Sequence, residues 1–141
     1  MPAYYNSSNR LSKRQQQFIK HVATVQGIYY FVTGAWALFH ARSFMYITGP
    51  KTDIWLLRLV GILTIAISLL LFVTAKKRKL SLESIVVILF GGFSYLTIDV
   101  IYSLAGRISF VYLYDALIQL IFLSIWVNWL VMTKYKIEDE E

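Results

Sequence analysis

Cysteine is absent from the 141-residue chain. That removes thiol–disulfide chemistry, cysteine-ligated metal clusters and lipid attachment at cysteine. Histidine is nearly absent: His21 and His40 are the only two, and on one helix they would stand about 28 Å apart at 1.5 Å per residue. No single metal or haem can take both, and three protein ligands of the usual kinds are not gathered anywhere. The sequence therefore implies no metal and no cofactor. A nucleophile elbow, a phosphate-cradling glycine loop and a metalloprotease helix motif are also missing, so no catalytic residue is assigned and the reading leans away from an enzyme. Charge is scarce as well. Charged residues make up 16% and apolar ones 57%, against about 25% and 45–50% in ordinary globular chains.

What the chain has instead is four long apolar blocks, at about 18–39, 54–75, 82–104 and 110–133. Each is long enough to cross a hydrocarbon core of about 30 Å as a helix. The fold class predicted is all-α: an integral membrane four-helix bundle over 18–133, with a polar basic tail at 1–17 and a charged tail at 134–141. Residues 10–20 could carry the first helix beyond the membrane. The connections agree with this count. Thr48-Gly49-Pro50 is a breaker, with Thr52 or Asp53 placed to cap the second span, and Ser81 is placed to cap the third. Gly106 marks a tight turn and Ser109 can cap the fourth. So short a turn makes the last two spans antiparallel neighbours.

The formal charge of +6 does not point to nucleic acid, because the basic residues cluster at the ends of apolar blocks. Arg10, Lys13, Arg14, Lys20, the run Lys76-Lys77-Arg78-Lys79, Lys134 and Lys136 fall on one side; Arg42, Lys51, Arg58 and Arg107 fall on the other. Lys and Arg concentrate on the cytoplasmic side of membrane proteins, so both termini are placed in the cytoplasm and the protein in a cell membrane, the bacterial cytoplasmic membrane. Ala35-Trp36-Ala37 has the form of a signal-peptide cleavage site, but the apolar run continues past it, and an uncleaved anchor is the better reading. Trp36, Phe44, Tyr46, Trp55 and Tyr112 toward one interface, and Trp129 and Tyr135 toward the other, read as aromatic belts.

Charges inside apolar spans carry the most information, since each costs about 2.5–3.5 kcal/mol near the centre on insertion scales and usually seeks a partner in the interior. Arg58, Asp99 and Asp115 each lie five residues inside the outer end of a span, roughly 7–8 Å deep. Equal depth predicts one layer in the outer leaflet, with Arg58 ion-paired to Asp99, Asp115 or both, and Asp99 as the carboxyl that keeps a proton. Polar neighbours share the helix faces: Tyr95, Asp99 and Tyr102 on the third span, Asp115 and Gln119 on the fourth, Thr33 and His40 on the first. The ligand-binding set expected is Arg58, Asp99, Asp115, Tyr95, Tyr102, Gln119 and His40. The competing reading is a structural ion-pair network that binds nothing, or Arg58 and Asp115 snorkelling to the headgroups. Gly27 and Gly34 suit close helix packing, and Lys76 to Lys79 suit anionic lipid. The loop 40–53 holds an apolar patch, Phe44 to Ile47, too short to span and placed to lie in the interface or fold over the polar layer as a lid.

Four spans in about 140 residues, the first ending in Gly34-Ala35-Trp36-Ala37-Leu38-Phe39 and followed by a longer outer loop with Thr48-Gly49-Pro50-Lys51-Thr52-Asp53-Ile54-Trp55-Leu56, resemble small DoxX-like bacterial membrane proteins. The resemblance implies association with membrane oxidoreductase complexes and transfers no catalytic residue; electron-transfer chemistry would need a cofactor supplied by a partner. Two functions follow as expectations. The first is binding of a small-molecule or lipid-like ligand at the outer-leaflet polar site, coupled to a proton. The second is a non-catalytic accessory subunit whose charges serve assembly. The partners expected are membrane lipids, a small-molecule or lipid ligand, and a membrane-protein partner or a second copy, with no nucleic acid.

Overall fold

A computed structural model describes residues 3–77 and 80–138, with side chains described over 13–77 and 80–132. Arg10, Arg78, Lys79, Lys134 and Lys136, which weigh in the orientation argument, have side chains outside the described residues. Five helices follow one another: α1 (Ala3–Phe39), α2 (Ala41–Thr48), α3 (Ile54–Lys76), α4 (Leu82–Leu104) and α5 (Val111–Glu138). No strand occurs among the described residues. Four segments, Lys13–Phe39, Ile54–Lys76, Leu82–Leu104 and Val111–Met132, are long and apolar enough to cross a membrane. α1 starts well before the apolar block, so the basic tail extends the first helix. Gln, Lys, Arg and Leu between positions 10 and 20 are good helix formers, and no proline interrupts them.

The breaks lie where the sequence chemistry puts them. Gly106 has φ +67°; its N–H donates to the Ser103 carbonyl at 3.0 Å, and Arg107 N–H donates to the Tyr102 carbonyl at 2.9 Å. That pair of bonds is a Schellman closure of α4, and glycine is the residue that takes the left-handed position at no steric cost. Ser109 Oγ then accepts from Val111 N–H at 3.3 Å and caps α5. Asp53 and Ser81 stand at the starts of α3 and α4 without making side-chain cap bonds; Ser81 Oγ pairs instead with Ser84 Oγ at 2.8 Å.

α1 packs chiefly on α3 and α4 on α5, and the two pairs meet along lighter α1–α5 and α3–α4 contacts. The α1–α3 seam is a glycine contact. A Cβ built on Gly34 would stand 2.7 Å from the Gly61 carbonyl oxygen, and one on Gly61 2.8 Å from the Gly34 oxygen. Neither backbone has room for a side chain, which lets the two helices approach closely. An apolar cluster with Ile19, Ala23, Leu71, Ile85, Ile88 and Trp126 fills the end that carries both termini. A smaller one, Ala37, Ala41 and Leu57 with Phe44 and Met45 of α2, closes the opposite end.

The distribution of polarity is inverted relative to a water-soluble bundle. Gln26, Ser68, Thr74, Asp99, Ser103 and Gln119 are buried, while Phe39, Trp55, Phe90, Phe93, Leu104 and Phe110 stand exposed. Soluble monomers rarely expose contiguous apolar surface on this scale, whereas lipid imposes no penalty on it. Together with the four long apolar helices, this indicates a membrane protein.

Candidate functional site

A hydrogen-bonded polar network runs through the interior and ends within the first apolar cluster, at Trp126. Its centre is a pair of carboxyls. Asp99 of α4 is buried, 4% exposed, and its carboxyl neighbours that of Asp115 on α5. Two ionised carboxylates have no donor between them, and among the described residues Asp99 Oδ2 has no hydrogen-bond partner. One shared proton converts the contact into a hydrogen bond and leaves the pair with a single negative charge. Asp115 has its own donors: Tyr29 O–H of α1 donates to Oδ1, and Gln119 Nε2 reaches the same oxygen at 3.4 Å.

The network then runs along the interior toward the termini. Tyr30 O–H donates to Gln119 Oε1 at 2.6 Å and accepts from Gln26 Nε2 at 3.3 Å. Trp126 Nε1–H donates to Gln26 Oε1 at 2.9 Å. Asp115 and Trp126 are eleven residues apart on α5, so the chain of bonds covers about 16 Å of the helix axis. Tyr95 of α4 bonds Thr64 Oγ1 of α3 at 2.6 Å and sets its ring edge against Tyr30, centroids 5.6 Å apart. All four long helices thus contribute.

Of the residues the sequence nominated, Asp99, Asp115, Gln119 and Tyr95 come together. Arg58, Tyr102 and His40 do not. The inward stripe of α3 is Leu57, Gly61, Thr64, Ser68, Leu71 and Thr74, and Arg58 follows Leu57 by one residue, about 100° around the helix. It is exposed, and among the described residues no ion pair joins it to either aspartate. The expected ion-paired cluster is therefore replaced by a carboxyl pair with phenol and amide donors. On α4 the inward stripe passes through Asp99 to Ser103, which leaves Tyr102 on the flank at 46% exposed. His40 sits in the break between α1 and α2 and is exposed. Thr33 turns its hydroxyl back onto its own helix, bonding the Tyr29 carbonyl at 2.9 Å. The other cations near the end opposite the termini do not compensate the acids: Lys51 Nζ lies over the Tyr112 ring, 5.1 Å from its centroid, and Arg107 is exposed.

Tyr29, Tyr30, Gln26, Thr64 and Trp126 are the members sequence reasoning missed. The available signal was Gln26 with Tyr30 at i, i+4 inside an apolar span, a spacing that shares one helix face.

α2 lies over this layer at the end opposite the termini, touching α1, α3 and α5. Its Phe44 packs edge-on against Trp36, centroids 5.4 Å apart, and Trp36 Nε1–H donates to Ser43 Oγ at 2.8 Å. Among the described residues no group of three or more His, Cys, Asp or Glu is gathered. What the arrangement offers chemically is an excess of acceptor oxygens over donors, with Asp99 buried and Asp115 half-buried. Compared with protein-family models, with curated proteins and with solved structures, the chain matches none.

Proposed function

We propose that the chain is a four-helix bundle of the bacterial cytoplasmic membrane, both termini in the cytoplasm, that binds a small-molecule or lipid-like amine at Asp99 and Asp115 in the outer leaflet. The observation that supports this most directly is the facing of two interior carboxyls with no cation paired to them among the described residues and an oxygen of Asp99 without a donor. A purely structural polar network tends to satisfy its members, because an unsatisfied group in a low-dielectric interior is costly. A resting proton between the carboxyls holds the pair at one negative charge, and an entering ammonium group displaces it. Tyr29 and Gln119 hold Asp115 in place while Asp99 stays free to turn toward the ligand. α2 closes the outer end of this layer and is the element that moves to admit the ligand.

The test uses the purified full chain in nanodiscs, with a panel of aliphatic amines and quaternary ammonium ions as probes. A binding amine raises apparent stability by about 2.7 kcal/mol at a hundredfold excess over Kd. It releases one proton into weakly buffered medium, and both effects disappear in Asp99→Asn and Asp115→Asn. A chain that no amine stabilises, and that is instead recovered in fixed stoichiometry with another membrane protein, belongs to the accessory-subunit class and ends the binding proposal.

A further inference from the structure

A second site lies at the other end of the molecule. An open cleft of about 420 Å³ runs between α1 and α5 near the termini, far from the carboxyl pair and within the range of about 300–1,000 Å³ common for small-ligand sites. Its walls are graded. Arg14 and Gln15 stand one helical turn before Phe18 on the α1 side, and Ile125, Asn128, Trp129 and Met132 line the α5 side. On α5, Ile125 lies seven residues deeper than Met132, about 10 Å along the axis. The cleft therefore runs lengthwise, cation at the mouth and hydrocarbon below.

We infer that this cleft holds one anionic phospholipid of the leaflet on the side of the termini. Arg14 is exposed, and among the described residues it has no ion pair. Its guanidinium presents a planar set of donors matched to a phosphate diester. Lys13 beside it, and Lys76 and Lys77 at the end of α3, extend the positive field of this face, which draws acidic lipid toward it. Glu83 in the first turn of α4 and the end of α5 at Glu138 belong to the same end, so the full chain is the proper test object. Asn128 supplies the second observation. It is an exposed amide flanked on α5 by Val127, Val131 and Met132, and among the described residues no hydrogen bond is made by its side chain. Toward hydrocarbon such a group is costly. Against the glycerol and ester oxygens of a lipid seated in the cleft it has acceptors, one turn inward of Met132 on α5. Trp129 lies at the level where indole rings favour the interface. An acyl chain then lies along Phe18 and Ile125.

The experiment reads quenching of tryptophan fluorescence by brominated lipid. Trp36 and Trp55 are replaced by Phe, leaving Trp129 in the cleft and the buried Trp126. The full chain is reconstituted in phosphatidylcholine vesicles doped with brominated phosphatidylglycerol or, separately, brominated phosphatidylcholine. The expected result is a preference of about fivefold for the anionic lipid, lost in Arg14→Gln and retained in Lys77→Gln. Equal quenching by the two lipids overturns the inference. So does a preference that Lys77→Gln removes as fully as Arg14→Gln, since that is a diffuse surface potential. Should Arg14→Gln fail to fold, Asn128→Leu decides: loss of the preference supports the site, and its retention ends it. None of these readouts involves Asp99 or Asp115, so failure here leaves the amine-binding reading standing, and the converse holds too.

Discussion

Replacing Tyr30 with Phe removes one oxygen from the middle of the polar network and tests whether that network holds the helices together. The hydroxyl donates to Gln119 Oε1 at 2.6 Å and accepts from Gln26 Nε2 at 3.3 Å. Both glutamines are 1% exposed, so no solvent replaces the lost partner. Stranding a buried acceptor costs about 1–3 kcal/mol in soluble proteins. Interhelical hydrogen bonds in a membrane average about 0.6 kcal/mol, with a maximum near 1.7, because separated helices find other partners in the bilayer. The second range governs here, and its upper part applies: Gln119 Oε1 loses the shorter bond, although Nε2 remains tethered to Asp115 at 3.4 Å, and Gln26 keeps its bond from Trp126. We expect Tyr30→Phe to cost about 1–1.7 kcal/mol in reversible unfolding measured by steric trapping in bicelles. In a cycle with Gln119→Leu the coupling should be about 1 kcal/mol, since the second substitution removes the acceptor that the first one strands. A coupling below about 0.3 kcal/mol, the scatter of independent sites, would refute the argument that this bond docks α1 on α5.

Three further outcomes follow from the geometry. Arg58→Leu should change unfolding free energy by no more than about 0.5 kcal/mol, because Arg58 is exposed and unpaired to the acids; a loss of several kcal/mol would restore the ion-paired cluster. Gly34→Val should cost the 1–3 kcal/mol or more typical of overpacking, as its Cβ meets the Gly61 backbone at 2.7 Å. Gly106→Ala meets nothing within 4 Å and should cost only the roughly 1–2 kcal/mol of a left-handed φ, so equal losses at the two positions in the same unfolding assay would contradict the packing. Single cysteines are clean probes in a chain that has none: a membrane-impermeant maleimide on intact cells should label Lys51→Cys but not Asn6→Cys or Lys79→Cys, and labelling at position 6 would invert the proposed topology.

Helix positions were legible because they depend on one variable, the length of an apolar run between breakers. The expected spans of 54–75 and 82–104 match Ile54–Lys76 and Leu82–Leu104, and Gly106 and Ser109 close and open their helices with the chemistry their side chains dictate. The candidate site was legible only in part, because depth follows from counting residues whereas azimuth does not. Asp99 and Asp115 share a layer, and they also share a seam. Arg58 shares the layer but lies about 100° from the face that Leu57 and Gly61 turn inward. That face is chosen by the Gly34–Gly61 contact, a pairwise property of two helices that neither displays alone. Tyr29 and Tyr30 were missed for a related reason. They lie in the middle of the first apolar run, where the sequence does not say which neighbour a hydroxyl meets, and they become site residues only once α5 is seen to bring Asp115 and Gln119 against them.

The division of labour among contacts bears on how such a site can work. α1 and α3 join through glycines and apolar side chains, a contact with little freedom to slide because the backbones already touch. The bonds Tyr29–Asp115, Tyr30–Gln119 and Gln26–Trp126 all cross from α1 to α5, and Thr64–Tyr95 crosses from α3 to α4. The polar network is thus the seam between two helix hairpins. In lipid the hydrophobic effect does not hold helices together, so packing and polar pairs decide the register. Polar pairs at a seam are also exchangeable: a ligand that offers donors to Asp115 and acceptors to Tyr29 can replace protein bonds at small net cost, which apolar interdigitation does not allow. The carboxyl pair belongs to the α4–α5 hairpin, and Asp115 alone is tied across the seam. On the proposed reading α2 admits the cation at Asp99 first, and a cation that then drew Asp115 from Tyr29 would weaken the docking of the hairpins as it gained the second carboxyl, because the Tyr29–Asp115 bond is one of those that cross the seam.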